Sequence, residues 1–171
     1  VSKLTPEQAA AAFMLGESVE TTAGDPRRAG ESVRVVGTNP FMIGSEAEEG
    51  NWFYEFVKNN EGKIQSYLLN TGGVGEILER DGQGRAVVRQ AVKRVPIPEM
   101  SAMIRGILRG SIEWRPDHLF GTQVPISVEG MDISQYDLSK FYAPEQIQEY
   151  AQRLNEERKK HLAGFPGLNQ R

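Results

Sequence analysis

Residues Ser66 to Gly75 read SYLLNTGGVG, a short apolar run followed by Asn70, Thr71 and the glycines Gly72, Gly73 and Gly75. Glycine-rich loops after strands can cradle phosphates, because their backbone N–H groups converge on an anion. The nucleotide-hydrolysing form ends in a lysine that neutralises the terminal phosphates and a hydroxyl that binds Mg²⁺. Here Glu76 follows the last glycine, and a carboxylate there repels phosphate. The dinucleotide fingerprint does not fit either, since its spacing differs and it must open a helix. Asn70, Thr71, Gly72 and Gly73 therefore read as a tight strand-end turn.

Other reactive groups are sparse. The two histidines are His118, after an Arg-Pro-Asp run, and His161, among lysines near a helix end where a cation suits the dipole. No HExxH, GxSxG or calcium-loop pattern occurs. The acidic run SEAEEG (45–50) reads as a solvated helix start. The chain has no cysteine, which excludes disulfides, zinc ribbons and thiol nucleophiles and fits a reducing compartment. A self-contained active site is not visible.

The elements that position these residues can be read from periodicity. Thr5, Pro6 and Gln8 form a helix start with capping-box spacing, and Gly16 is a stop. A polar turn region (21–31) precedes SVRVVG, which alternates like a strand, and NPFMIGS suggests a second short one. Trp52, Phe53, Phe56 and Val57 predict one apolar helix face. KIQSYLLN reads as a buried strand, and Asp81-Gly82 as a hairpin turn. AVVRQAVKRV is ambiguous between strand and helix, with its β-branched residues favouring strand. Pro98 opens a helix whose core stripe is Met100, Met103, Ile104, Ile107 and Leu108, closed by Gly110. HLFGTQVPISV predicts a strand bent at Gly121, with an edge or bulge at Pro125. Pro144 to Leu162 forms an amphipathic, solvent-facing helix, and 163–171 a flexible tail. The order is that of an α/β fold, a mixed β-sheet with flanking helices.

With 171 residues, 39% hydrophobic and 25% charged, the chain has the composition of a globular domain with a sizeable core. Its net charge of -3 argues against bulk nucleic-acid or anionic-membrane binding. No run approaches the ~18 apolar residues of a membrane span, and no signal peptide opens the chain. The expectations are no nucleic acid, no membrane and a cytoplasmic location. The first residue is Val1 and a helix pattern starts almost at once, so a piece of a longer protein is expected.

Several segments, taken in order, resemble the C-terminal part of ATP-dependent phosphoenolpyruvate carboxykinase. KLTPEQAAAAFMLG is similar to that family's Leu-Thr-x-x-Gln helix running into Phe-Leu-x-Gly. TTAGDPRRAGESVRVVGTNPFM takes the place of its Ala-Gly-Thr-Glu turn and following strand. QSYLLNTGGVG resembles its strand ending in Asn-Thr-Gly-Trp. KRVPIPEMSAMIRGILRGSI resembles Lys-Arg-Ile-x-Ile-x-x-Thr-Arg-Ala-Ile-Ile continuing to Ile-Leu-x-Gly-Ser-Leu. FGTQVPISVEGMD resembles a Phe-x-Leu-x-Ile-Pro strand and its turn, and FYAPEQIQEYAQRL the last helix. The resemblance runs through nearly all of the chain.

It implies a single domain (1–171), or a C-terminal fragment of a larger carboxykinase-like protein, resembling the C-terminal nucleotide-binding lobe. ATP with Mg or Mn is then expected in the parent, none bound by this chain alone, and the missing N-terminal portion becomes a partner. The phosphate loop and metal ligands of the family lie in that earlier portion. Arg94 would sit beside the adenosine end of the nucleotide, Val95 could pack on the base, and Lys93 and Met100 would complete the edge. Met100 stands where the family has threonine, and Gly73 where it has tryptophan. The parent would convert oxaloacetate and ATP to phosphoenolpyruvate, ADP and CO₂. An alternative is a non-catalytic ligand-binding or regulatory module that keeps the fold. A third reading, an interaction domain, rests on the 144–162 helix and the run Trp52–Phe56. Lys93 and Arg94 could equally be two solvated cations at a strand end.

Overall fold

Thr5 shows how closely the first helix follows its sequence. In a computed structural model, which describes residues 1–19, 32–37, 42–69 and 72–169, its hydroxyl accepts from the Gln8 N–H while the Gln8 side chain accepts from the Thr5 N–H. This reciprocal cap starts α1 (Pro6–Leu15), and Gly16 ends it in the left-handed conformation. Gln8 also donates to the Gly121 carbonyl at 2.9 Å, so the cap ties the helix to a distant loop.

The other helices are α2 (Glu46–Asn59), α3 (Ile97–Arg109) and α4 (Pro144–Leu162). Strands β1 (Ser2–Leu4), β4 (Ser66–Leu68), β9 (Glu113–Pro116) and β10 (Gln123–Ser127) form a sheet in the order β4-β1-β10-β9. Three two-stranded ribbons accompany it: β2 (Glu17–Val19) with β3 (Ser32–Arg34), β5 (Gly73–Val74) with β8 (Lys93–Arg94), and β6 (Ile77–Arg80) with β7 (Ala86–Gln90). The α/β class is as expected. The mixed sheet is not: every named pair of strands is antiparallel. Residues 117–122 and 81–85 are short reversals, which serve antiparallel neighbours, whereas parallel pairing needs a long crossover.

AVVRQAVKRV resolves to strand, as β7 and β8, and Asp81 accepts from the N–H groups of Gln83 and Arg85 to close the expected hairpin. Pro125 lies at a bulge against β9. SEAEEG begins α2, as expected. Three apolar expectations differ. Within KIQSYLLN only Ser66–Leu68 is strand, and Leu68 and Leu69 are exposed, because among the described residues β4 has a neighbour on one side only. Val57 faces inward and Phe53 stacks on Phe13 at 4.7 Å, but Trp52 and Phe56 stack on each other outside, Trp52 being 61% exposed. In α3 the buried residues are Ala102, Met103 and Gly106, while Ile104 and Leu108 are exposed. The turn region 21–31 and most of NPFMIGS lie outside the described residues, and Met42 and Ile43 are not strand.

The main core cluster joins Ala102 and Met103 to Ile112 and Val128, with Trp114 and Met131 against it. Elsewhere α4 is tied to the β2–β3 ribbon. The Glu17 carboxylate accepts from Arg34 at 3.1 Å and from both Nε and a terminal nitrogen of Arg158, whose guanidinium lies over Phe120. Residues 163–169, expected as part of a flexible tail, turn back onto α2. Asn51 donates to the Gly167 carbonyl and accepts from the Asn169 N–H, both at 2.9 Å.

Candidate nucleotide edge

Lys93, Arg94, Val95 and Met100 fall in one compact region, the β5–β8 ribbon and the first turn of α3. Gly73 pairs with Arg94 and Val74 with Lys93, and the Val95 N–H extends the pairing to the Gly72 carbonyl at 3.1 Å. Gly72 and Gly73 thus belong to a ladder rather than to a free turn, and Asn70 and Thr71 lie outside the described residues. The requirement for glycine at 73 is close approach: a Cβ there would stand 2.1 Å from the Lys93 carbonyl oxygen. Gly75 meets a different demand, since its φ of +86° is left-handed and a Cβ would strike the Phe141 ring.

Pro96 and Pro98 frame the start of α3, with Glu99 in its first turn, where a carboxylate suits the helix dipole. Glu99 is fully engaged. Tyr136 donates to it at 2.6 Å and Gln135 at 3.0 Å, both from the 3-10 turn Ile133–Tyr136. Partial burial, aided by the adjacent Glu99 carboxylate, pushes the Tyr136 hydroxyl up to about 12. The Lys93 ammonium lies over the Tyr136 ring, 5.5 Å from its centre, a cation–π contact.

Successive side chains of a strand point to opposite faces, so Arg94 projects away from Lys93 and Tyr136. It is exposed, and among the described residues its guanidinium has no hydrogen bond or ion pair. Val95, on the Lys93 side by the same alternation, and Met100 in the first turn of α3 are half-buried. The far side of the ribbon is braced by Tyr142, whose hydroxyl accepts from the Gly75 N–H at 3.0 Å and donates to the Glu76 carbonyl, and by Gln90, which donates to the Gly75 carbonyl.

The arrangement presents one exposed planar cationic donor set. A guanidinium can stack on a base and bond phosphate oxygens. Among the described residues there is no group of three or more His, Cys, Asp or Glu that could hold a metal ion. The Glu99 carboxylate beside the edge also suits an adenosine end better than a polyphosphate. Glu99, Gln135, Tyr136 and Tyr142 were not legible as site residues: Tyr136 meets Glu99 across 37 residues, and no local pattern signals such a contact.

A cavity of about 390 Å³ lies elsewhere, bounded by Met14 of α1, Tyr54 of α2, Leu162 of α4 and Phe165 and Leu168 of the returning segment. It shares no residue with the edge. His118 lines a second, open concavity with Gln152 and Asn155. His161 lies edge-on to Phe165 at 5.2 Å. No helix among the described residues is long and apolar enough to cross a membrane.

Comparison with known proteins bears on the whole chain. A family model described as phosphoenolpyruvate carboxykinase matches residues 1–134. The chain is similar to the phosphoenolpyruvate carboxykinase (ATP) of Allorhizobium ampelinum, 35% identical over 143 residues, 80% of this chain and 24% of that protein. That of Parvibaculum lavamentivorans is 31% identical over 138 residues, 77% of this chain and 23% of that protein. That of Aeropyrum pernix is 25% identical over 173 residues, 99% of this chain and 30% of that protein. The chain thus spans roughly a quarter of the length of the relatives it matches.

Proposed function

The chain belongs to the ATP-type phosphoenolpyruvate carboxykinase family, and from that premise we propose that it supplies the adenosine side of an ATP cleft in a longer carboxykinase-like protein. The parent reaction is nucleotide-dependent decarboxylation and phosphorylation of oxaloacetate, and this chain is inactive alone. The observation that carries the reading is Arg94, an exposed guanidinium without a partner among the described residues, fixed by the Gly73–Arg94 pairing. Unpaired cations at defined backbone positions favour an incoming anion or π-face.

Val95, expected to pack on the base, lies by the same alternation on the Lys93 side. Met100, half-buried in the first turn of α3, offers the base an apolar contact, and Lys93, drawn to the Tyr136 ring, leaves the Arg94 face clear. Phosphoryl transfer needs cationic and metal clamping of the phosphates, and those groups belong to the portion of the parent outside these residues. ATP with Mg²⁺ or Mn²⁺ is therefore a ligand of the parent, with only the adenosine end reaching this chain. Titrating the full-length polypeptide and its Arg94→Ala variant with ATP tests the proposal. Loss of affinity in the variant supports it, and equal affinity ends it.

A second reading, a non-catalytic module that keeps the fold, is favoured by one observation. The space beside Gly73 is filled by the Lys93 carbonyl, so the tryptophan implied there by the resemblance has no place. Oxaloacetate- and ATP-dependent CO₂ release by the full-length protein separates the two readings.

A further inference from the structure

Helix α3 is apolar over one broad arc, and among the described residues only part of that arc is covered. At about 100° per residue, Ala102, Met103 and Gly106 form one face. Gly106 brings the helix so close to Ile112 that a Cβ would lie 2.8 Å from its side chain. Met100 and Ile107 continue the apolar surface from there, and Ile97, Ile104 and Leu108, at i, i+7 and i+11, form its far flank, a stripe about half a turn away from Gly106. They are 83%, 41% and 81% exposed. Ser101 lies within this stripe, and Arg105 borders it. A surface helix needs an apolar stripe a little over about 100° wide against its core, whereas the apolar arc of α3 runs on for about half a turn beyond Gly106.

We propose that the Ile97–Ile104–Leu108 stripe is an internal packing face, covered by the part of the parent polypeptide that lies outside these 171 residues. This rests on the reading that the chain works within a longer carboxykinase-like protein. Two observations select that occupant. The helix lies inside the region matched by the family model, and the match covers only 24% of the Allorhizobium ampelinum relative. Three aliphatic side chains also supply only on the order of a few hundred Å², short of the ~800 Å² per partner of a typical stable interface between separate molecules. Packing within one polypeptide avoids the translational and rotational cost of association, so a small patch suffices. The covering surface would be apolar, with acidic or neutral polar groups near Arg105.

Hydroxyl-radical footprinting of the wild-type proteins tests this without requiring any variant to fold. Leu108 should be labelled readily in the 171-residue chain and at least about tenfold more slowly in the full-length polypeptide. The double variant Ile97→Gln/Leu108→Gln should leave the melting temperature of the 171-residue chain unchanged. In the full-length protein it should lower melting by roughly 5–10 °C. Equal labelling of Leu108 in both proteins overturns the proposal. So does concentration-dependent dimerisation of the 171-residue chain that the double variant abolishes, which would give the face to a second copy. None of these readouts involves nucleotide, so the stripe and the Arg94 edge stand or fall separately.

Discussion

Gly73 and Lys93 approach so closely that the Lys93 carbonyl oxygen stands 2.1 Å from where a Cβ on Gly73 would be. The short β5–β8 ribbon holds Arg94 in place, and two residue pairs are little pairing on which to hold it. Gly73→Ala should therefore push the strands apart, lowering stability by about 1–3 kcal/mol, as read in urea unfolding. ATP affinity of the full-length protein should fall with it. Gly82→Ala, where a Cβ meets nothing within 4 Å, is the control and should be nearly silent.

Tyr136 joins the ribbon to α3, donating to Glu99 while its ring carries the Lys93 ammonium. Its pKa is raised from 10.0 to about 12 in the fold, so the unfolded chain releases this proton first as pH rises. The stability this contributes is complete below pH 10 and lost as pH climbs toward 12. Spectrophotometric titration of the tyrosines should show one late-ionising group that disappears in Tyr136→Phe.

Glu17 gives the opposite pH dependence. Burial works to raise its pKa, but hydrogen bonds and charge from Arg158 and Arg34 outweigh this and hold it below its ordinary 4.5. A depressed carboxylate stabilises above the unfolded value, and the contribution disappears as pH falls through the folded one. Glu17→Gln should lower stability at pH 7 by roughly 1–2 kcal/mol for a partly exposed cluster. The gap between wild type and variant should close below about pH 4.5, as seen in melts from pH 7 to 3.

Asn51 holds the 163–169 segment through two reciprocal hydrogen bonds. Asn51→Ala should release it, costing about 1–2 kcal/mol and making the bonds around Phe165 far more sensitive to chymotrypsin. Unchanged proteolysis would show that Leu168, within 3.1 Å of a Cβ placed on Gly50, holds the segment alone.

Local signals were the legible ones. Thr5, Pro6 and Gln8 carry their cap in three neighbouring side chains, and Asp81-Gly82 carries its hairpin in two. The elements of the candidate edge could be placed because Lys93 and Arg94 end one strand and Pro98 opens the next helix. What could not be read was which apolar side faces what. Ile104 and Leu108 repeat at helical spacing as well as Met103 does, yet of the three Met103 alone is in the core cluster with Ile112 and Val128, and nothing in a period says which flank of an apolar arc the core reaches. Tyr136 and Glu99 meet only after the chain has folded, so their spacing is uninformative.

The central claim is that Arg94 contacts the nucleotide, and the most direct measurement is calorimetric titration of ATP into the full-length polypeptide and its Arg94→Ala variant. Losing a charge-assisted contact of about 1.5–3 kcal/mol predicts roughly tenfold to hundredfold weaker binding. The melting temperature should be unchanged, because Arg94 is exposed and has no partner among the described residues. ATP bound with equal affinity by both proteins would contradict the account.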